Sequence, residues 1–320
     1  MRCSSAQSKP RVLGLVGATA SGKTALSLDV AQSLGCEILC MDSMQIYRGM
    51  EIGTAKPTRE EQTAVPHHLL DLVAPTDSFS VAEYVNAAHQ AIADVIARGH
   101  VPLLVGGTGL YLQGLSLPMD YGGLPSDPAL RQSLQAELDR IGAAALHRKL
   151  AQIDPDSAAR LHPNDTRRVI RALEIFQLTG LPMSAHRVPD AAQSPYDFLL
   201  YAVDWPRETL HQRINLRVEQ MMQAGLENEV ASLLASGVPA DAQSMQGLGY
   251  KELIPVLQGN QPLKAAVEQI KTGTRNYARR QLIWFRRDKR IRWIPSDCLA
   301  NAKQQMIQQW EDASTWTSTL

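Results

Sequence analysis

The chain has 320 residues, of which 44% are hydrophobic and 20% are charged, and its formal net charge is zero. These values are ordinary for a globular protein, and the length suggests about two domains. Because the bulk charge is zero, any affinity for nucleic acid must come from a local basic patch.

No apolar run approaches the roughly 18 residues that a membrane-spanning helix needs. Residues 1–10 are polar and lack the apolar stretch of a secretory signal, so we expect a disordered tail there and a cytosolic protein with no membrane partner. The cysteines have no paired spacing that would indicate a disulfide or a zinc site, and we expect reduced thiols. They are Cys3, Cys36, Cys40 and Cys298.

The first predicted element is a strand over Arg11–Val16, followed by a glycine-rich loop and a helix from Thr24 to about Leu34. Strand, G-x-x-x-x-G-K-T loop and helix together are typical of a phosphate-binding P-loop, whose backbone N–H groups surround an anion at the helix N-terminus. We expect Lys23 to contact the terminal phosphate and the Thr24 hydroxyl to hold Mg²⁺. The loop residues expected to bind a diphosphate or triphosphate are Gly17, Ala18, Thr19, Ala20, Ser21, Gly22, Lys23 and Thr24.

Two further predicted strands end in candidate site residues. Glu37–Met41 is followed by Asp42, and Val101–Val105 is followed by Gly106, Gly107 and Thr108. Ligands of open α/β sheets lie beyond the carboxyl ends of the strands, so both positions belong near the phosphate loop. Asp42 fits a magnesium ligand, a general base or a turn residue, and Thr108 fits a site residue or a plain turn threonine.

The connections around these strands carry weaker signals. Arg48–Pro66 is predicted to be a loop, and the pair His67-His68 is predicted to be loop or packing histidines rather than metal ligands. Ser80 to Arg98 has apolar residues at helical spacing, and Ser80 with Glu83 forms a capping box at its start.

Residues 120–196 contain prolines that separate short helical runs, with no convincing strand pattern. We predict a helical insertion that leaves and re-enters an α/β core formed by residues 11–119 and 197–320. The core resumes with a strand over Phe198–Trp205 and a long helix from about Arg207. On that helix Arg213 and Arg217 are four residues apart, and each could face a phosphate or the solvent.

The stretch Lys271–Arg292 holds nine lysines and arginines against one acid, Asp288, and includes Trp284 and Phe285. Basic side chains bind nucleic-acid phosphates, and aromatic rings stack on unpaired bases. The stretch therefore favours a polyanion partner over an ordinary solvated helix. We expect Arg279, Arg286 and Arg290 to lie on one side of this helix.

The residues alone leave the reaction open. The predicted strand Val101–Val105 ends in glycine rather than in an Asp of the Walker-B type. A carboxylate at Asp42 opposite a bound phosphate chain suits a kinase, and it equally suits a transferase that moves another group off a diphosphate.

The chain resembles bacterial tRNA dimethylallyltransferases, also called tRNA isopentenyltransferases, from about Arg11 to Trp293. The resemblance rests on several sequence blocks in the same order as in that family. They are Gly17–Thr24, Asp42–Met50, Ile52–Pro57, Pro66–Asp71, Gly106–Tyr111, His162–Asp165 with Arg168 and Arg171, Gly249–Lys251 and Arg279–Arg286.

The resemblance implies an α/β fold with a P-loop NTPase-like core, a mostly parallel sheet and an inserted helical domain that contacts tRNA. It implies transfer of a dimethylallyl group from dimethylallyl diphosphate to N6 of the adenine 3′ of the anticodon, with release of diphosphate by a monomeric enzyme. On this basis Asp42 hydrogen-bonds N6 and acts as general base, and Thr108 lines the channel between the substrates. Arg217 joins the loop in binding diphosphate, and Mg²⁺ lies near Thr24.

The resemblance also implies a set of residues in contact with the tRNA anticodon stem-loop. They are Asp42, Ser43, Met44, Gln45, Thr108, Arg131, Arg167, Arg168, Val169, Ile170, Arg171, Gln246, Gly247, Leu248, Gly249, Tyr250, Lys251, Arg279, Arg280, Gln281, Leu282, Ile283, Trp284, Phe285 and Arg286.

The sequence departs from the family pattern at Ala18, where many members have proline; alanine removes no hydrogen-bond donor that the anion needs. Alternatives are an enzyme that prenylates free adenine nucleotides, a small-molecule P-loop kinase and a non-catalytic nucleic-acid-binding NTPase.

Overall fold

The structure, a computed structural model, describes residues 9–117, 126–186 and 194–312. Most of the tail predicted over residues 1–10 therefore lies outside the described residues. The chain forms two compact units, one made of Met1–Ser116 with Ser194–Leu320 and the other of Leu117–Gln193. The predicted boundaries were 119/120 and 196/197.

The first unit is built on a six-stranded sheet in which every pairing is parallel, in the order β3-β2-β4-β1-β5-β6. Parallel strands covered on both faces read as continuous apolar runs, which is why β1 and β2 were recognisable from sequence. The strands are β1 Arg11–Val16, β2 Cys36–Met41, β3 His67–His68, β4 Val101–Gly106, β5 Asp197–Asp204 and β6 Ile291–Pro295.

The described part of this unit also contains nine helices, of which the first, the third and the last pack directly against strands of the sheet. The nine helices are α1 Lys23–Leu34, α2 Arg59–Ala64, α3 Val81–Ala97, α4 Gly109–Ser116, α9 Arg207–Gln223, α10 Leu226–Ala235, α11 Tyr250–Leu257, α12 Leu263–Phe285 and α13 Leu299–Glu311. The predicted capping box starts α3, because the Ser80 hydroxyl accepts from Glu83 N and the Glu83 carboxylate accepts from Ser80 N.

The second unit contains α5 Pro128–Ile141, α6 Ala143–Ile153, α7 Pro155–Arg160 and α8 Thr166–Thr179, with no strand among its described residues. Its apolar core includes Leu134, Leu146, Leu150, Val169 and Leu173. Two of its prolines, Pro128 and Pro155, stand at the first turns of α5 and α7, where the missing N–H costs nothing.

Three local predictions differ from the structure. The predicted loop Arg48–Pro66 contains the short helix α2. His67 and His68, which were predicted to be loop or packing histidines, form the edge strand β3, which pairs with Ile38 and Leu39 of β2. The basic helix α12 ends at Phe285, so Arg290 lies beyond it and pairs instead with Asp288 at 2.6 Å.

Candidate active site

A cavity of about 360 Å³ lies in the first unit, where β2 and β4 end. Its wall combines the phosphate loop, the turn after β2, and residues of α9, α11 and α12. The charged side chains that line it are Lys23, Asp42, Arg217, Lys251 and Arg280. One acid and four bases thus share one cavity, which suits an anionic ligand.

The phosphate loop has the backbone bends that its glycines predicted, with φ of 124° at Gly17 and 90° at Gly22. Ala20 is also left-handed, with φ of 60°. Such a conformation costs a non-glycine residue free energy and persists only where the surroundings hold it.

Two side chains hold the carbonyls of this loop. Arg213 Nε donates to Ala20 O at 2.8 Å, and Trp205 Nε1 donates to Ser21 O at 2.9 Å. The guanidinium of Arg213 also lies 4.4 Å from the centre of the Trp205 ring. These contacts explain how Ala20 keeps its left-handed conformation.

Ala18, the residue that departs from the expected family pattern, is buried and packs with Leu210, Ile214 and Ala278. The position therefore acts through apolar packing of the loop onto α9 and α12.

Lys23 begins α1, and its ammonium group donates to Gly17 O at 3.1 Å and to Ala18 O at 2.5 Å. Burial and the positive charge of Arg217 lower its pKa to about 7, against an opposing effect of Asp42. Desolvation disfavours the charged lysine, and a bound anion would reverse this effect.

Asp42 lies in a turn whose backbone is fixed on both sides. Its Oδ1 accepts from Met44 N at 2.8 Å. Thr108 N donates to Met41 O at 3.2 Å, and Thr108 Oγ1 accepts from Ser43 N at 3.0 Å. Thr108 is not among the described residues that line the cavity, so what the structure gives it is a role in holding the Asp42 turn.

Gln45 supports the same turn from the other side. Its amide oxygen accepts from Cys40 Sγ at 2.7 Å, and its amide nitrogen donates to Thr54 O and Ala55 O at 3.0 and 3.1 Å. The segment before Ala55 is in turn held by Glu229, whose carboxylate accepts three consecutive backbone N–H groups from residues 51–53.

The structure separates the two arginines that the sequence left equivalent. Arg217 lines the cavity, and burial lowers its pKa while Asp42 raises it. Arg213 binds the loop backbone at Ala20. Arg217 is therefore the one placed to contact a ligand in the cavity, and its binding of diphosphate stays a prediction.

The predicted segment 246–251 lies at the cavity, where Gln246, Gly247, Leu248, Gly249 and Lys251 line the wall. Gly247 permits a close approach, since a Cβ there would lie 2.5 Å from Met44 Cε.

The basic helix α12 presents an exposed face with Arg279, Arg280, Ile283 and Trp284. Arg280 also reaches the cavity wall. The exposed Arg286 follows the helix and pairs with Asp204 at 2.9 Å. A cationic surface with an exposed aromatic ring thus adjoins the cavity.

Not every residue of the segments expected to contact tRNA is accessible. The side chains of Val169, Ile170, Tyr250, Gln281 and Phe285 are buried. Any RNA contact at these positions would have to come from the backbone.

In the helical unit Arg167 and Arg168 are exposed, and Arg168 pairs with Asp165 at 3.2 Å. Asp165 occupies the N-cap position of α8 but makes no side-chain cap hydrogen bond. Arg131 and Arg171 both pair with the fully buried Glu174 carboxylate, at 2.9 and 2.8 Å.

The residues available to a metal ion are few. The described part of the chain has no group of three or more His, Cys, Asp or Glu side chains that could hold one. Thr24 lines the cavity beside Lys23. Binding of Mg²⁺ near Thr24 stays a prediction.

Sequence reasoning missed Trp205, the side-chain role of Arg213 and the anchoring of loops by Glu229. Trp205 was detectable in principle, because β5 neighbours β1 and the residue following its end must lie beside the phosphate loop. The contacts of Glu229 join residues about 180 positions apart and leave no local signal.

The parallel sheet, the strand–loop–helix unit and the cation-lined cavity define a P-loop NTPase-like α/β protein. A profile described as IPP transferase matches residues 45–288. The chain belongs to this family, which confirms the resemblance found in the sequence.

Individual relatives agree with this assignment. The chain is 50% identical over 288 residues to tRNA dimethylallyltransferase 1 of Trichlorobacter lovleyi, covering 89% of this chain and 94% of that protein. The crystal structure of the full-length tRNA isopentenylpyrophosphate transferase of Bacillus halodurans matches with a TM-score of 0.70 and 41% identity, over 94% of this chain and 96% of that one. A eukaryotic dimethylallyltransferase acting on tRNA matches with a TM-score of 0.80 and 28% identity, over 95% and 79%.

No helix in the described ranges combines the length and the apolar character needed to cross a membrane.

Proposed function

We propose that this protein transfers a dimethylallyl group from dimethylallyl diphosphate to N6 of the adenine 3′ of the anticodon in tRNA, and releases diphosphate. The observation that carries the proposal is the cavity, in which Asp42 faces the same space as the P-loop lysine and Arg217. Asp42 is close enough to both cations to raise their pKa values.

In the proposed reaction the N6 amine attacks C1 of the dimethylallyl group, and the bond between C1 and the diphosphate oxygen breaks. The electron pair of that bond leaves with diphosphate, which Lys23, Arg217 and the loop N–H groups stabilise as negative charge develops. Asp42 orients N6 and takes its proton. The fixed turn around Asp42 supports this role, because Met44 N already orients one carboxylate oxygen.

We further propose that the Thr24 hydroxyl holds a Mg²⁺ ion together with diphosphate oxygens and water. When bound, the ion would neutralise negative charge on the leaving group. The position of Thr24 in the cavity wall, next to Lys23, supports this proposal.

The tRNA would lie against the exposed face of α12 and the segment 246–251, with the target adenine turned out of its stack into the cavity. The exposed Trp284 ring offers a surface on which an unpaired base can stack. We propose a monomer that acts in the cytoplasm.

The test is transfer of labelled dimethylallyl diphosphate to unmodified tRNA in Mg²⁺, with Asp42→Asn as the matched control. We expect label in the tRNA and a loss of rate of about a hundredfold or more in the variant. Label on free AMP, or consumption of ATP, would contradict the proposal and favour the free-nucleotide enzyme or the kinase.

A further inference from the structure

Gln281 is expected from the resemblance to contact tRNA, but its side chain is buried in the cavity wall, where its amide is bound by the protein's own backbone. We infer that Gln281 is a positioning residue, which ties the phosphate-binding loop to the turn that carries Asp42. The inference rests on the proposed function, because it gives Gln281 a part in aligning the two substrates of that reaction.

The Gln281 amide makes two long-range hydrogen bonds. Its oxygen accepts from Thr19 N in the phosphate loop at 2.9 Å, and its nitrogen donates to Gly107 O after β4 at 2.9 Å. The residue is only 6% exposed. One buried amide thus connects the loop after β1 to the chain after β4.

The connection continues to the proposed base. Thr108, next to Gly107, donates its N–H to Met41 O and accepts from Ser43 N, so it holds the turn at Asp42 on both sides. Gln281 is therefore connected to the Asp42 turn through Gly107 and the adjacent Thr108. A shift of its amide would move the phosphate loop and the Asp42 turn relative to each other.

The site has a specific requirement for an amide. The Thr19 N–H needs an acceptor and the Gly107 carbonyl needs a donor, and a glutamine side chain supplies both at one position. A methionine at this position would have a similar length but a thioether in place of the amide. The Thr19 N–H and the Gly107 carbonyl would then each lose a buried hydrogen bond.

The glycine at position 107 fits the same explanation. Its φ is not in the left-handed region, but a Cβ there would overlap the Gln281 amide nitrogen and lie 3.2 Å from Gly17 O. Gly107 therefore serves the close approach of Gln281 rather than an unusual backbone conformation.

Prenyl transfer requires N6 and C1 to meet in line, and displacements on the order of 1 Å can cost about a hundredfold in rate. Loss of the Gln281 bridge should therefore lower the transfer rate and leave tRNA affinity nearly unchanged. A tRNA-contacting residue would show the opposite pattern.

The experiment compares the wild type with Gln281→Met, using the single-turnover transfer rate at saturating substrates and the tRNA dissociation constant from filter binding. We expect a rate lower by about tenfold to a hundredfold, with tRNA affinity within about twofold. Arg279→Gln, an exposed change on the same helix, should instead weaken tRNA binding. Weaker tRNA binding by Gln281→Met at an unchanged rate would overturn the inference.

A second experiment tests the contact between Gln281 and Gly107 by combining a substitution at each of the two positions. Gly107→Ala should lower the rate in the wild-type background and have little further effect when Gln281→Ala has already removed the amide. Additive effects of the two changes would overturn the inference. Absence of transfer by the wild-type enzyme would instead reject the proposed function, so the two failures are distinguishable.

Discussion

Two charged side chains in the cavity, Arg217 and Asp42, shift the pKa of Lys23 in opposite directions. Arg217 and burial disfavour its charge, and Asp42 favours it. In the structure the ammonium group donates hydrogen bonds to the carbonyl oxygens of Gly17 and Ala18. A diphosphate would offer it stronger, charged acceptors and would raise its pKa.

Affinity for diphosphate should therefore depend on pH. Because the pKa of Lys23 is about 7 in the free protein and rises when an anion binds, binding takes up a proton above pH 7. We expect the dissociation constant of inorganic diphosphate to increase as pH rises above 7, measured by calorimetry over about pH 6–9. Lys23→Met serves as control for the titration of diphosphate itself, and equal pH slopes for both proteins would contradict the prediction.

At the level of single residues, some members of the site could be predicted from the sequence and others could not. The motif identified Lys23 and Thr24, and strand topology placed Asp42 at the same cavity. The residue spacing alone could not distinguish Arg213 from Arg217, because residues four apart on a helix share a face, and only the family resemblance favoured Arg217. The distinction depends on the loop carbonyl of Ala20, to which Arg213 donates.

Among the elements, the edge of the sheet at β2 and β3 depends on one buried carboxylate. Glu37 on β2 binds both Arg98, at the end of α3, and His68 on β3. Its bonds to Arg98 and His68, with Arg98 contributing most, hold its pKa at about 2. The pair of histidines is thus part of a structural contact as well as of a strand.

Stability at acid pH should reflect this contact. A carboxyl group with a lowered pKa stabilises the fold fully above its ordinary pKa of 4.5, and this stabilisation is lost as pH falls toward 2. We expect urea unfolding between about pH 5 and 3 to show a loss of stability that is smaller in Glu37→Gln. A variant with the same pH dependence as the wild type would show that Glu37 is not responsible.

The predicted elements were those with long apolar patterns or strong caps, such as β1, α3 and β5. Helix α2 was missed although Thr58 and Glu61 form a capping box, because none of its residues is buried and no apolar periodicity marks it. Strand β6 was missed because its five residues include Arg292 and follow a strongly basic helix, and only its pairing with β5 defines it.

At the scale of the whole molecule, a net charge of zero coexists with the concentration of cations from Lys271 to Arg292. The molecule therefore has no general attraction for polyanions, and its proposed affinity for tRNA must depend on this surface. Acids elsewhere, such as the buried Glu174 and Glu37, are neutralised by local arginines.

The salt dependence of tRNA binding should therefore come from a small number of contacts between these cations and tRNA phosphates. We expect Arg279→Gln with Arg280→Gln to weaken binding and to reduce the slope of log K against log salt by about one for each phosphate contact removed. Arg59→Gln, an exposed change on α2, serves as the matched control and should leave the slope unchanged. An unchanged slope in the double variant would place the tRNA on another surface.

Two tRNAs that differ only in the base 3′ of the anticodon, adenine in one and guanine in the other, would decide whether the proposed transfer takes place. Each is incubated with the wild-type protein, labelled dimethylallyl diphosphate and Mg²⁺, and is then digested to nucleosides. We expect label on adenosine from the first tRNA and none in the second. Equal labelling of both tRNAs, or label in neither, would contradict the proposed transfer.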